Sequence, residues 1–153
     1  MRIAEFLSPE SIVSPLKAQT KSDALQELGS LLFKRVPELS SERIVEVLAE
    51  REKLGSTGIG EGVAIPHGKV AGLKGLVACF AVCTDGIDFQ AIDGKPSRLF
   101  FALLAPENSA GAHLKALARI SRLFKNARFR EDILRAPSAQ AIYALISEED
   151  GRA

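Results

Sequence analysis

Apolar positions along the chain change their period twice. From Lys21 to Arg35 they recur at helical spacing, at Ala24, Leu25, Leu28, Leu31 and Leu32, with Val36 just beyond. This predicts an amphipathic helix over Lys21–Arg35. Thr20 and Asp23 have the spacing of a capping box at its start, and Pro37 stops it. Ile44, Val45, Val47 and Leu48 repeat the pattern after Ser40 or Ser41. A second helix is therefore expected to end near Leu54, with Gly55 where helices commonly terminate. Ahead of both, Ile12–Ala18 reads as a short strand.

The pattern then turns to strands. Val63–Ile65 is strand-like, and Leu76–Val82 and Arg98–Ala105 are nearly continuous apolar runs. Such runs suit strands covered on both faces. Asp85-Gly86 and Asp93-Gly94 predict two turns in a small excursion between them. The last third is helical, with Leu114, Leu117, Ala118, Ile120 and Leu123 or Phe124 forming one stripe. Shorter helices follow in Phe129–Ala136 and Ala139–Ser147. Strands with helices before, between and after them indicate an α/β fold with helices on both sheet faces.

Composition narrows the function classes. The 153 residues suit one domain, and 46% hydrophobic with 25% charged content is ordinary for a soluble globular protein. A net charge of +1 supplies no overall basic field for nucleic acid. No apolar run is long enough for a signal peptide or a bilayer span, so a cytoplasmic protein without membrane insertion is expected. Cys79 and Cys83 lie four residues apart in a predicted strand, on one side but roughly 13 Å apart. That exceeds the reach of a disulfide and makes them core thiols.

The candidate chemistry sits in GSTGIGEGVAIPHGK, Gly55–Lys69, which holds five of the glycines and one of only two histidines. A dinucleotide fingerprint is excluded because a strand and Pro66 follow the glycines, where that motif needs a helix. No Gly-Lys-Ser/Thr ending marks a phosphate-binding P-loop, and the spacing is not that of a nucleophile elbow. The two histidines are 46 residues apart, without HExxH or CxxC patterns, so no metal site and no cofactor is expected.

His67 as a nucleophile toward phosphorus is the remaining reading. Neutral imidazole is abundant near pH 7, and one ring nitrogen must stay free while the other is fixed by a hydrogen bond. Phosphoryl transfer is mostly positioning and electrostatics, so donors are needed around the equatorial oxygens. Gly58, Gly60 and Gly62 would bring backbone N–H groups close, and Ser56 and Thr57 would add hydroxyls. Pro66 would stiffen the approach to His67, and Gly68 would leave its front open. The bland alternatives are a glycine-rich surface loop with an incidental histidine, and Ser56 and Thr57 as helix-terminating residues.

Arg51–Lys69, REKLGSTGIGEGVAIPHGK, closely resembles the active-site segment of the nitrogen-regulatory IIA proteins of the phosphoenolpyruvate phosphotransferase system. These bacterial proteins are cousins of the fructose- and mannitol-type IIA domains. The resemblance continues through Phe89–Pro96, Leu99–Pro106 and His113–Ser121, and so covers nearly the whole chain. It implies a single domain with a central mixed sheet flanked by helices. It implies that His67 accepts a phosphoryl group, typically on Nε2, from a histidine-phosphorylated HPr-like carrier (NPr). His113 would be a second active-site histidine, Arg51 an arginine near the site, and Gly55–Gly62 the loop beside the histidine. The implied role is a regulatory phosphotransferase, a phosphoprotein whose state controls regulators of nitrogen, carbon or potassium homeostasis. The alternatives are a sugar-specific IIA component passing phosphate to a IIB protein, and an interaction module that is never phosphorylated.

Overall fold

A computed structural model describes residues 1–152. The two long apolar runs become the middle of a six-stranded mixed sheet. In chain order the elements are β1 (Ile12–Val13), α1 (Lys21–Arg35), α2 (Ser41–Lys53), β2 (Gly58–Gly60), β3 (Val63–Ala64) and β4 (His67–Val70). There follow β5 (Val77–Ile87), β6 (Ser97–Pro106), α3 (Ala110–Leu123), α4 (Ala127–Arg135) and α5 (Ala139–Gly151). The sheet runs β1-β5-β6-β3-β2, and β4 also pairs with β6. Among the described residues no helix is long and apolar enough to cross a membrane.

Strand alternation explains why helices cover both faces. β5 and β6 pair antiparallel, with Phe80 opposite Phe101 and Cys79 opposite Ala102. Cys79, Ala81, Phe100, Ala102 and Leu104 share one core with Leu28 and Leu32 of α1 and Ile44 and Leu48 of α2. Ala78, Phe80, Leu99, Phe101 and Leu103 share the other with Ile120, Ile133, Ile142 and Ile146 of the last three helices. Each fully buried aliphatic or aromatic side chain contributes about 1.5–3 kcal/mol, so both layers are strongly held. Cys79 and Cys83 lie in the same core, free and buried, and burial pushes the Cys79 thiol well up.

The helix starts follow the capping residues. Thr20 accepts the Asp23 N–H at 3.1 Å, and Ser40 does the same for Arg43. Elsewhere the structure departs from the sequence pattern. Only Ile12–Val13 pairs as a strand, because Pro15 interrupts the ladder; beyond it, the Leu16 N–H still donates to Val82 O at 2.7 Å. Asp85-Gly86 is not a turn but an irregularity inside β5, where the register shifts between Val82 and Ile87. The excursion turns at Asp93-Gly94, where Gly94 adopts φ +73° and Asp93 accepts the Lys95 N–H. In α3 the buried stripe is rotated, with His113, Ala116, Ile120 and Leu123 inward and Leu114 67% exposed. The helix turns its histidine, not its first leucine, toward the sheet. α5 outruns its apolar pattern because buried Asp150 accepts the Ile3 N–H and the Arg119 guanidinium, tying the two chain ends together.

Candidate functional site

A break in a strand delivers His67. β6 pairs in parallel with β3 through Leu99 and Phe100, then with β4 through Leu103 to Pro106. Between them Pro66 has no N–H to donate, yet its carbonyl accepts the Leu103 N–H at 2.9 Å. His67 is therefore the first residue after an interruption rather than part of a loose loop. Its Nδ1 lies 2.7 Å from Ile65 O. A carbonyl can only accept, so Nδ1 carries the proton and Nε2 the lone pair.

His113, buried in the first turn of α3, faces it with ring centroids 5.4 Å apart and planes 73° apart. His113 Nε2 is buried without a hydrogen-bond partner among the described residues. Such an atom costs about 1–3 kcal/mol unless something from outside satisfies it. Burial holds His67 below the ordinary imidazole range, assisted by the Arg51 charge and opposed by the Ile65 hydrogen bond and Glu52. Burial, then His67 and Lys69, pushes His113 down to about 4. Both rings are thus biased toward the neutral form near pH 7.

The two histidines border a cleft of about 410 Å³. One wall is the face of α2 that carries Arg43, Val47, Glu50 and Arg51, and Lys69 of β4 closes the other side. Arg51 Nη1 donates to Gly55 O at 2.8 Å, which fixes the guanidinium at the end of α2. Gly68 lines the cleft, and a Cβ there would run into Val47 Cγ1. The glycine thus lets α2 lie close against β4, which brings Arg51 to the histidine. Arg43, Arg51 and Lys69, against the single carboxylate of Glu50, give the cleft a net positive lining able to hold an anion against a neutral imidazole nitrogen.

The structure brings His67, His113, Arg51 and Gly68 together. It does not bring Ser56, Thr57, Gly58, Gly60 or Gly62 to the cleft wall, which corrects the expected cradle. Ser56 Oγ donates to Phe89 O at 2.8 Å and accepts the Gly58 N–H. The Thr57 hydroxyl and N–H both donate to Glu52 Oε1. Gly58 and Gly60 are buried strand residues, and a Cβ at Gly58 would lie 2.9 Å from Ala91 Cα. Gly60 and Gly62 have φ +98° and +79°, so they shape the β2–β3 hairpin. The glycine richness is largely architecture.

Sequence reasoning missed Lys69, Arg43 and Glu52. His67 and Lys69 are two apart on a strand and share a face, a period legible once Pro66 had excluded a helix. Arg43, Val47 and Arg51 are spaced by four along α2, so the first arginine was implied by the second. Glu52 is buried and its Oε2 lies 2.6 Å from Lys21 Nζ, pinning the end of α2 to the glycine segment and to α1. No three His, Cys, Asp or Glu side chains converge as a metal-binding group among the described residues.

The family described as "Phosphoenolpyruvate-dependent sugar phosphotransferase system, EIIA 2" matches residues 5–149. The chain belongs to that family. The nitrogen regulatory protein of Bradyrhizobium diazoefficiens is 43% identical over 150 residues, which cover 96% of this chain and 95% of that protein. The fructose-specific EIIABC component of Bacillus subtilis is 34% identical over 98% of this chain, but only 24% of its own length is matched. Among solved structures, nitrogen regulatory protein IIA-Ntr from Neisseria meningitidis has 40% identity and a TM-score of 0.89, covering 94% of this chain and 98% of that one. The resemblance carried by the glycine segment therefore extends over nearly the whole chain. The protein is a IIA-type component of a phosphotransferase system.

Proposed function

We propose that this is a cytoplasmic, single-domain regulatory phosphocarrier that accepts a phosphoryl group on His67 Nε2. The observation that carries the reading is the Nδ1–H bond to Ile65 O, which leaves Nε2 as the free nucleophile beside a cationic cleft. A histidine-phosphorylated HPr-like carrier docks over the cleft, and His67 Nε2 attacks the phosphorus in line. The new N–P bond forms as the carrier's N–P bond breaks, while His67 keeps its Nδ1 proton. The carrier ring, protonated on its other nitrogen, takes the electron pair and leaves as neutral imidazole. Arg51 and Lys69 offset charge on the phosphoryl oxygens, and neutral His113 offers its Nε2 side to the same group. The phosphoryl oxygens then carry roughly two negative charges, partly offset by the ring that keeps its Nδ1 proton, which changes the partner proteins that bind this patch. By likeness to the nitrogen regulatory relatives, those partners are regulators of nitrogen, carbon or potassium homeostasis.

Incubation with the phosphorylated carrier should yield an acid-labile phosphoprotein, and His67→Ala should abolish the label. Retention of full labelling in His67→Ala would refute the assignment. The likeness to a fructose-specific component favours a second reading, a IIA that passes phosphate to a sugar-specific IIB protein. Rapid transfer from the labelled chain to a fructose-type IIB domain would place that reading first.

A further inference from the structure

The chain's near-neutral net charge conceals an uneven distribution of charge along the sequence. From His113 to Arg130 there are six cations, Lys115, Arg119, Arg122, Lys125, Arg128 and Arg130, and no carboxylate. The remainder of the chain is therefore net acidic. Where α3 passes into α4 lies a cleft of about 590 Å³ that is separate from the histidine cleft. Its volume falls within the range of sites that bury small molecules.

The lining is built for an acid with an apolar body. Val63 and Phe124 are almost fully buried side chains, and Ile59, 45% exposed, stands at the rim. Against this apolar ground are Ser121, Lys125 and Arg130. Arg130 is held rigidly: its Nη1 donates to Phe124 O at 2.7 Å and to Lys125 O at 3.0 Å, and its side chain is only 13% exposed. The other amino group, Nη2, lies 3.5 Å from Glu61 Oε2. That carboxylate is 68% exposed, and Glu61 holds φ +58°, an uncommon conformation outside glycine. A fixed guanidinium is thus covered loosely by a solvent-washed carboxylate that another acid can replace.

We propose that this cleft is a second, non-catalytic binding site for a small anion with an apolar body, whose carboxylate or phosphate takes the place of Glu61 on Arg130. Lys125 supplies the second positive charge, and Ile59 receives the apolar part over a floor formed by Val63 and Phe124. The site stands apart from the role proposed for His67.

The test is an amide-resolved NMR titration of the full chain with three probes sharing a phenyl body: phenyl phosphate, phenylacetate and neutral 2-phenylethanol. Saturable shifts of the Gly60, Glu61, Val63, Ser121 and Lys125 amides are expected with the anions, at least about tenfold tighter than with the alcohol. Tighter binding of phenyl phosphate would identify a phosphate ester as the preferred guest, and tighter binding of phenylacetate a carboxylate. Glu61→Gln should tighten both anions severalfold, and Lys125→Ala should weaken them; both positions are exposed, so the fold is kept. The proposal is overturned if the alcohol binds equally well, if shifts are confined to the His67 cleft, or if neither substitution moves the affinity.

Discussion

Gly68→Ala isolates the claim that a missing side chain sets the distance between α2 and the histidine strand. An added Cβ would collide with Val47 Cγ1, whereas the next nearest atoms, Val47 O at 3.5 Å and Val47 Cβ at 3.6 Å, are in ordinary contact range. One methyl therefore carries the whole clash. Overpacking of this kind costs about 1–3 kcal/mol, which for a chain of 153 residues lowers Tm by about 2–12 °C. If α2 yields by moving outward, Arg51 leaves His67, and phosphoryl transfer slows as well. Val47→Ala removes the clashing methyl, so the double variant should recover most of what Gly68→Ala loses. The assay is a double-mutant cycle in urea denaturation, run beside phosphorylation rates with the same carrier. A coupling of about 1–3 kcal/mol in the direction of rescue is expected. Unchanged stability and rate in Gly68→Ala, or additive losses in the double variant, would refute the packing role.

Acid should weaken the protein through its histidines. His113 is held at about 4 in the folded state against an ordinary 6.5, so between those values the unfolded chain binds more protons and stability rises with pH. His67 shifts in the same direction, so stability is full above about pH 6.5 and falls toward pH 4, by up to about 3 kcal/mol from His113. Urea midpoints across this window should slope in the parent and flatten in His113→Gln; an equal slope in both would contradict the assignment. Glu52→Ala strands the buried Thr57 N–H and hydroxyl and takes the carboxylate from Lys21, and should cost about 3 kcal/mol, read by urea denaturation. Lys21→Met should cost a similar amount, because the Thr57 bonds both go to Oε1 and the buried Glu52 Oε2 loses its countercharge.

How legible the molecule was depends on what set each feature. α1 and α2 were readable because local caps and period agreed, at Thr20 and Ser40 and along Leu25, Leu28 and Leu32. The doubly covered strands were readable because apolar runs report burial on both faces. α3 was misaligned because a buried histidine occupies a core position that hydrophobicity counts as polar, while Leu114 stands outside. β2 and β4 were invisible because both are short: β2 is mostly glycine and pairs only with the two-residue β3, and β4 pairs with β6, far along the chain. His67 was proposed from its glycine-rich setting and His113 and Arg51 from resemblance, and the structure places all three around one cleft. The glycine loop was overread, since composition cannot tell a backbone that faces a ligand from one that packs against Ala91. Net charge likewise hid the cationic run from Lys115 to Arg130.

The central claim is the identity of one atom. Long-range proton–nitrogen NMR of the ring nitrogens, recorded before and after phosphorylation by the carrier, reads it directly. His67 should begin with its proton on Nδ1, held by Ile65 O, and finish with phosphorus on Nε2 while His113 remains unmodified and neutral. Phosphorus on His67 Nδ1, or on His113, would contradict the account.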